Sequence, residues 1–361
     1  MLIAVLLPVL GGLSLAPLRG FARSLYAQRM KWLYVALAAA LLSGCGGSGG
    51  SAGPVSPFPT PRVRFLYATT VTANQVLLFD GTARGNAAPA QTLAGSNTQL
   101  DRPGGLAVTQ NALYVANAGG AVTVYPAFTG GNILPLSFIR GNLTQLSGPS
   151  MIALDSAGTI YVTNNASRNG AGVDSIVAFA PGSAENVYPS TWIQGTSTHL
   201  AQPNGIAVDA HGDIFVANTA SNTITAYAPV RTGIVPANET PFLTLAGGAT
   251  GLNAPFGLAI DSLGRLWVGD SGNNTIEVFA SNAFGNAAPM FTFSGAATGL
   301  SAPQEIGFDP FGQLDVANGG GSVEVFSPLP FPLPGSGNIA PALQISGQAT
   351  QLTGVLGVAG L

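Results

Sequence analysis

The sequence predicts an all-β chain folded as a six-bladed β-propeller of four-stranded blades, closed by pairing of its N- and C-terminal strands. Three observations predict it. The first is a nine-residue pattern, Gly-x-x-Thr-x-Leu-x-x-Pro, at Gly95–Pro103, Gly141–Pro149, Gly195–Pro203, Gly247–Pro255, Gly295–Pro303 and Gly347–Val355, the last with Val for Pro, at intervals of 46 to 54 residues. Periods of about 40 to 50 residues belong to propeller blades, where one supersecondary unit stacks on copies of itself. The second is Asn-x-x-Pro, which begins at Asn86, Asn132, Asn186, Asn238, Asn286 and Asn338, once in each period. The third is the phase of the ends. Phe65–Thr70 matches the second strand of a unit and Leu356–Ala359 the first, so two partial units add up to one shared blade beside five complete ones.

Within a unit the elements follow in order. After the Pro comes a short apolar run ending in Asp-x-x-Gly, as in Ile206-Ala-Val-Asp209 to Gly212 and Leu258-Ala-Ile-Asp261 to Gly264. Asp opening a tight turn bonds its own backbone and Gly tolerates the exit, so this reads as a hairpin. The second strand is β-rich: Leu113–Asn117, Ile160–Asn164, Ile214–Asn218, Leu266–Asp270 and Leu314–Asn318. A Gly/Asn/Ser loop leads to a third strand such as Thr223–Tyr227 or Thr275–Phe279, and Asn-x-x-Pro introduces the fourth. The strands are nearly continuous apolar runs, which fits sheets covered on both faces, and no helical period interrupts them.

The segment Leu258–Phe279, with Leu-Ala-Ile-Asp, Leu-Trp-Val-Gly-Asp and Ser-Gly-Asn-Asn-Thr-Ile-Glu-Val-Phe, resembles the NHL repeat. The resemblance extends over roughly residues 63 to 361. It implies the propeller fold and leaves function open, because propellers of this type include enzymes, protein-binding scaffolds and RNA binders.

Residues 1–44 read as a leader. Met30-Lys31 precedes the apolar stretch Trp32–Leu42 and then Leu42-Ser-Gly-Cys45, which resembles a bacterial lipoprotein signal. The apolar run is too short to span a bilayer. Met1–Pro17 is a second uncharged stretch; the expected translation start is Met30, and the alternative is a membrane segment preceding the lipoprotein signal. The resemblance implies Cys45 as the lipidation site, and as the sole cysteine it forms no internal disulfide. Residues 45–61 form a tether whose Gly46–Gly53 run has flexible composition. The propeller is expected over 62–361. Anchoring places the protein in the cell envelope, at the outer membrane or cell surface if the source is Gram-negative, since Gly46 is not the Asp that retains lipoproteins in the inner membrane.

Charge narrows the partners. All fifteen acidic residues follow Cys45, with eight Arg and no Lys, so the mature chain is near −7. Nucleic-acid binders cluster cations against phosphates, and scattered Arg residues exclude that class. Charged residues are 7% of the chain, which leaves a surface of Ser, Thr, Asn, Gln and Gly. The expected ligand is an unknown protein, a glycan or a small polar molecule, and the expected state is monomeric.

Gly-x-Ser-x-Gly occurs only inside the glycine/serine tether, at Gly46–Gly50 and Gly49–Gly53, so it reads as no nucleophile elbow, and no phosphate loop is present. His199 shares its slot with Gln99, Gln145, Gly251, Gly299 and Gln351, and His211 lies inside an Asp-x-x-Gly turn, so neither reads as a metal ligand or catalytic group. Two departures between repeats carry more. Glu305 stands two residues after the Pro, on the innermost strand, where other units have Gly105, Met151, Gly205 and Gly257. Asp315 takes the slot of Tyr67, Tyr114, Tyr161, Phe215 and Trp267, and burial there requires a partner or water. The expected ligand site is the channel mouth near Glu305, Gln304, Asn204 and Arg102. No cofactor is expected, and one carboxylate binds Ca²⁺ weakly at best. The reading is a binding or structural module on a lipoprotein. Its alternative is a metal-dependent enzyme similar to gluconolactonase or streptogramin-lyase propellers.

Overall fold

The computed structural model describes residues 64–170, 172–230, 235–328 and 337–361. The leader, Cys45 and the tether lie outside the described residues. Arg62–Leu361 form one compact unit.

The short runs bounded by turn residues become 24 strands in six four-stranded antiparallel sheets. Five blades run from inner to outer strand in chain order. Their inner strands are Pro103–Val108, Pro149–Leu154, Pro203–Val208, Pro255–Ile260 and Pro303–Phe308. The sixth takes its inner strand, Val355–Gly360, from the C-terminus and the other three, Phe65–Thr70, Gln75–Asp80 and Gln91–Ala94, from the beginning of the ring. Leu66 pairs with Gly360 and Ala68 with Val358. Phe65 and Leu361 exchange backbone bonds of 2.9 and 2.8 Å. The predicted topology is the observed one.

The nine-residue pattern builds a 3-10 turn, as at Ser96–Thr98. Thr98 Oγ1 donates to the Gly95 carbonyl at 2.6 Å and accepts from the Leu100 N–H at 3.4 Å. The slot that holds Gln99, Gln145, His199, Gly251, Gly299 or Gln351 has φ between 57° and 75°. Left-handed backbone favours Gly and is tolerated by some polar residues. His199 therefore occupies a position defined by its backbone. Gly95 has φ 112°, and a Cβ on it would lie 2.5 Å from the Cγ of Asn132 in the next blade.

That contact explains the second repeat. Each Asn-x-x-Pro asparagine uses Oδ1 to accept a backbone N–H from the 3-10 turn of the preceding blade: Asn132 from Asn97 (2.8 Å), Asn186 from Leu143 (2.9 Å), Asn238 from Ser197 (2.8 Å), Asn286 from Ala249 (2.7 Å), Asn338 from Ala297 (2.7 Å) and Asn86 from Ala349 (2.7 Å). The two patterns recur at one period because each blade's turn needs the next blade's asparagine.

The core lies between blades. Tyr67, Val76, Leu78 and Leu93 pack on Leu106, Leu113, Val115 and Tyr125 of the next sheet. Trp267 packs against Phe293 and Phe308 with ring centroids 5.7 and 5.3 Å apart. Each fully buried aromatic or aliphatic side chain contributes about 1.5–3 kcal/mol. Asp-x-x-Gly forms the expected hairpin: Asp155 Oδ1 accepts the Ala157 and Thr159 N–H groups at 2.9 and 2.8 Å.

Asp315 is fully buried, and Arg64 is its partner. The same guanidinium donates through Nε to Asp309 Oδ2 at 2.7 Å. Burial pushes the Asp315 carboxyl up to about 7 even though Arg64 opposes the shift, and neighbouring Asp309 adds to it. A residue at the start of the first strand is thereby tied to the preceding blade.

Candidate functional site

The inner strands all begin on one face of the ring, and residues around their starts form the channel mouth. Asn204, the second residue of its strand, is buried. Its Oδ1 accepts from Ser150 Oγ (2.6 Å) and Asn165 Nδ2 (3.0 Å), and its Nδ2 donates to Thr219 Oγ1 (2.7 Å). Thr219 passes the chain on to the Pro255 carbonyl at 2.7 Å. Gln304 donates to Ser271 Oγ (3.2 Å) and to the Ala302 carbonyl (3.1 Å). Arg102 donates through Nη1 to the Arg168 carbonyl at 2.5 Å.

Arg168 was not singled out by the sequence. It lies on the 3-10 turn Ala166–Arg168, which Asn165 caps by accepting the Ser167 N–H. Its Nη1 stands 3.5 Å from Ser150 Oγ, and its Nη2 would be 3.4 Å from a Cβ on Gly104. The guanidinium thus reaches the starts of two inner strands. Burial, and then the Arg102 charge, bring its pKa down to about 10. Asn204 and Arg102 accordingly share a neighbourhood through Ser150 and Arg168.

Glu305 faces other surroundings. It is buried one position deeper, and its Oε2 accepts the Val358 N–H at 2.7 Å and the Leu106 N–H at 3.4 Å. One carboxylate therefore spans the inner strands of three consecutive blades, including the C-terminal one. A Cβ on Gly105 would lie 3.0 Å from Oε1 and one on Gly357 2.9 Å from Oε2, so these glycines leave the room it fills. Burial pushes its carboxyl up to about 8, outweighing the two N–H bonds that favour the charged form. It borders an axial cavity of about 300 Å³ with aliphatic walls from all six inner strands, among them Leu106, Ile152, Ile206, Leu258, Ile306 and Val358. Among the described residues no hydrogen bond or ion pair joins Glu305 to Arg102, Asn204 or Gln304.

A second acidic pair lies in the blade of Pro255–Ile260. The slot of Asp270 holds Asn117, Asn164, Asn218 and Asn318 elsewhere, whose Nδ2 groups donate to side chains such as Thr123 (3.0 Å) and Thr225 (2.9 Å). Asp270 keeps the accepting half, taking the Asn253 N–H at 2.7 Å, but has no donor to offer. Among the described residues Asp270 Oδ1 and Glu277 Oε2 are buried without hydrogen-bond partners. Burial pushes Asp270 up to about 6 and, aided by the Asp270 charge, Glu277 up to about 8.

His211 is exposed beside Asp209 at 3.3 Å. Among the described residues no three His, Cys, Asp or Glu side chains converge. The donors at the mouth are amides, hydroxyls and guanidiniums, and Glu305 spends Oε2 on backbone N–H groups. This set does not fit a tightly held divalent metal.

Fold and mouth together define a six-bladed β-propeller with a polar rim over an aliphatic axial cavity. The chain belongs to the SMP-30/gluconolactonase/LRE-like family, whose model matches residues 68–293. No curated protein matches it significantly in sequence. Among solved structures, a chain of the nidogen/laminin complex superposes with a TM-score of 0.54 at 16% identity, over 82% of this chain and 98% of that one. The WD40 propeller domain of Doa1 gives 0.48 at 13% identity, over 72% and 74% of the two chains. Virginiamycin B lyase from Staphylococcus aureus gives 0.42 at 15% identity, over 68% and 77%. At 16% identity the first likeness shows the fold alone.

Proposed function

We propose that this protein is a ligand-binding propeller, anchored in the cell envelope through a lipid on Cys45, that receives a small polar molecule at the mouth bounded by Arg102, Asn204 and Gln304. The observation that carries the reading is the Asn204 hub. It orders Ser150, Asn165 and Thr219 from two blades before any ligand arrives, and preorganised polar groups lower the cost of binding. Sequence supports the anchor: a basic start, a short apolar core and Leu42-Ser-Gly-Cys45 ahead of the glycine-rich tether. Among the described residues no helix is long and apolar enough to cross a membrane.

Three experiments test the reading. Cys45→Ser should release the protein from membranes or leave its precursor unprocessed, and an unchanged membrane fraction and mass would refute the anchor. Thermal shift of the mature protein against neutral polyols and glycan fragments should give a response that Asn204→Ala reduces. Ca²⁺ titrated into wild type and Glu305→Gln should shift both equally, since Glu305 lies away from the rim. A response lost only in Glu305→Gln would move the ligand into the axial cavity.

Family membership favours a second reading, a hydrolase acting on a small lactone. It is tested by assaying purified protein for lactone hydrolysis with and without added divalent metal. Turnover that metal restores and chelator removes would establish the enzyme over the binding module.

A further inference from the structure

We propose that the mouth recognises an oxyanion, the carboxylate or phosphate of a small ligand, through the guanidinium of Arg168 with Arg102 beside it. This rests on the binding reading above and names its ligand chemistry. The first observation is a missing counter-charge. The other inward-turned guanidiniums are paired with acids: Arg64 with Asp309 and Asp315, Arg265 with Asp261 at 2.5 Å. Arg168 has no acidic partner among the described residues. Among the described residues its Nε is buried without a hydrogen bond, and the side-chain hydrogen bond its guanidinium makes, to Ser150 Oγ, is long at 3.5 Å.

The second observation is that the fold brings another cation to it. Arg102 reaches the Arg168 main chain at 2.5 Å, and its own acid, Asp101, is a loose partner at 3.4 Å with both side chains largely exposed. Two like charges brought together over a desolvated donor cost stability unless an anion sits between them. Gly104 lies beside the guanidinium: a Cβ there would clash with the Ser150 carbonyl and stand 3.4 Å from the Arg168 Nη2. A guanidinium presents a planar fork that matches carboxylate and phosphate oxygens in bidentate fashion. Ser150 and Asn165 are buried next to it, bonded to Asn204, and fix the surroundings in which the fork is held. The chain is net acidic, so the site selects by local geometry and not by bulk attraction.

The test is thermal shift of the mature protein with sodium acetate and with inorganic phosphate, against sodium chloride at matched ionic strength. Wild type should melt roughly 2 °C or more higher in at least one oxyanion than in chloride. The larger response assigns carboxylate or phosphate. Arg168→Gln should lose that response while melting no lower than wild type in chloride, because it removes an unpaired charge. Arg168→Lys, which keeps the charge but not the fork, should retain only part of it. A Gln variant that responds as wild type overturns the proposal. So does a wild type that responds to neutral polyols but not to oxyanions, an outcome that leaves the binding reading standing. No response to either class overturns both.

Discussion

Asn86 accepts the backbone N–H of Ala349 at 2.7 Å, joining residues 263 positions apart across the point where the ring closes. The same bond is made five times elsewhere between neighbouring blades, so this turn contact is the same at the closure interface as at the internal ones, and closure adds the Arg64 ion pairs. Replacing one asparagine removes an acceptor and frees a turn held by left-handed backbone. Asn86→Ala and Asn186→Ala should each cost about 1 kcal/mol, lowering Tm by roughly 2–4 °C. Calorimetry of the two variants checks this, and a loss confined to Asn86→Ala would show that the turn contacts are not equivalent.

Deletion of residues 354–361 removes the inner strand of the closing blade. It exposes the edge of Phe65–Thr70 and strips Glu305 of its 2.7 Å donor, the Val358 N–H. The truncated protein should melt well below wild type with reduced cooperativity. A wild-type melting curve would refute closure through this strand.

Much of this was legible because repetition supplies its own control. Six copies of two patterns gave blade number and phase, and Asp315 and Glu305 stood out as the copies that differ. What the repeats did not carry was which side chains meet. Asn-x-x-Pro read as a strand introduction, and its contact with the neighbouring turn depends on the ring. Glu305 and Gln304 are adjacent in sequence yet face different surroundings, because successive residues of a strand point to opposite faces. Arg168 gave no signal because its loop has no counterpart in the other units.

Arg64 holds two buried carboxylates, and its removal leaves both without a counter-ion. Arg64→Ala should cost about 3–5 kcal/mol, visible as a lower denaturation midpoint in urea. Adding Asp315→Asn should recover a large part of the loss. If Arg64→Ala alone is neutral, the ion pair does not secure the first strand.

Burial pushes five buried carboxyls above the ordinary carboxylate range: Asp270 to about 6, Asp315 to about 7, Glu277 and Glu305 to about 8, and Glu324 in the same direction. Raised folded-state values mean that the native state binds more protons than the unfolded chain between about pH 4.5 and 8. Their contribution is thus fully present below the unfolded values and is lost as pH rises through the folded ones. Each group changes stability by up to about 1.4 kcal/mol per pH unit inside its window. Stability should fall from pH 5.5 to 8.5, and Glu277→Gln should flatten that slope and raise stability at pH 8.5. Urea unfolding at the two pH values measures it, and an unchanged slope in Glu277→Gln would contradict a protonated Glu277.

The shared blade also sets a timetable. Phe65–Thr70 is among the first strands of the ring to be made, but its inner neighbour, Val355–Gly360, is the last strand of the ring to be made. Until Leu361 has left the ribosome, and the export channel if the leader acts as read, that strand has an open edge. Any factor that delays the making of Val355–Gly360 prolongs the interval in which this edge can pair with another copy.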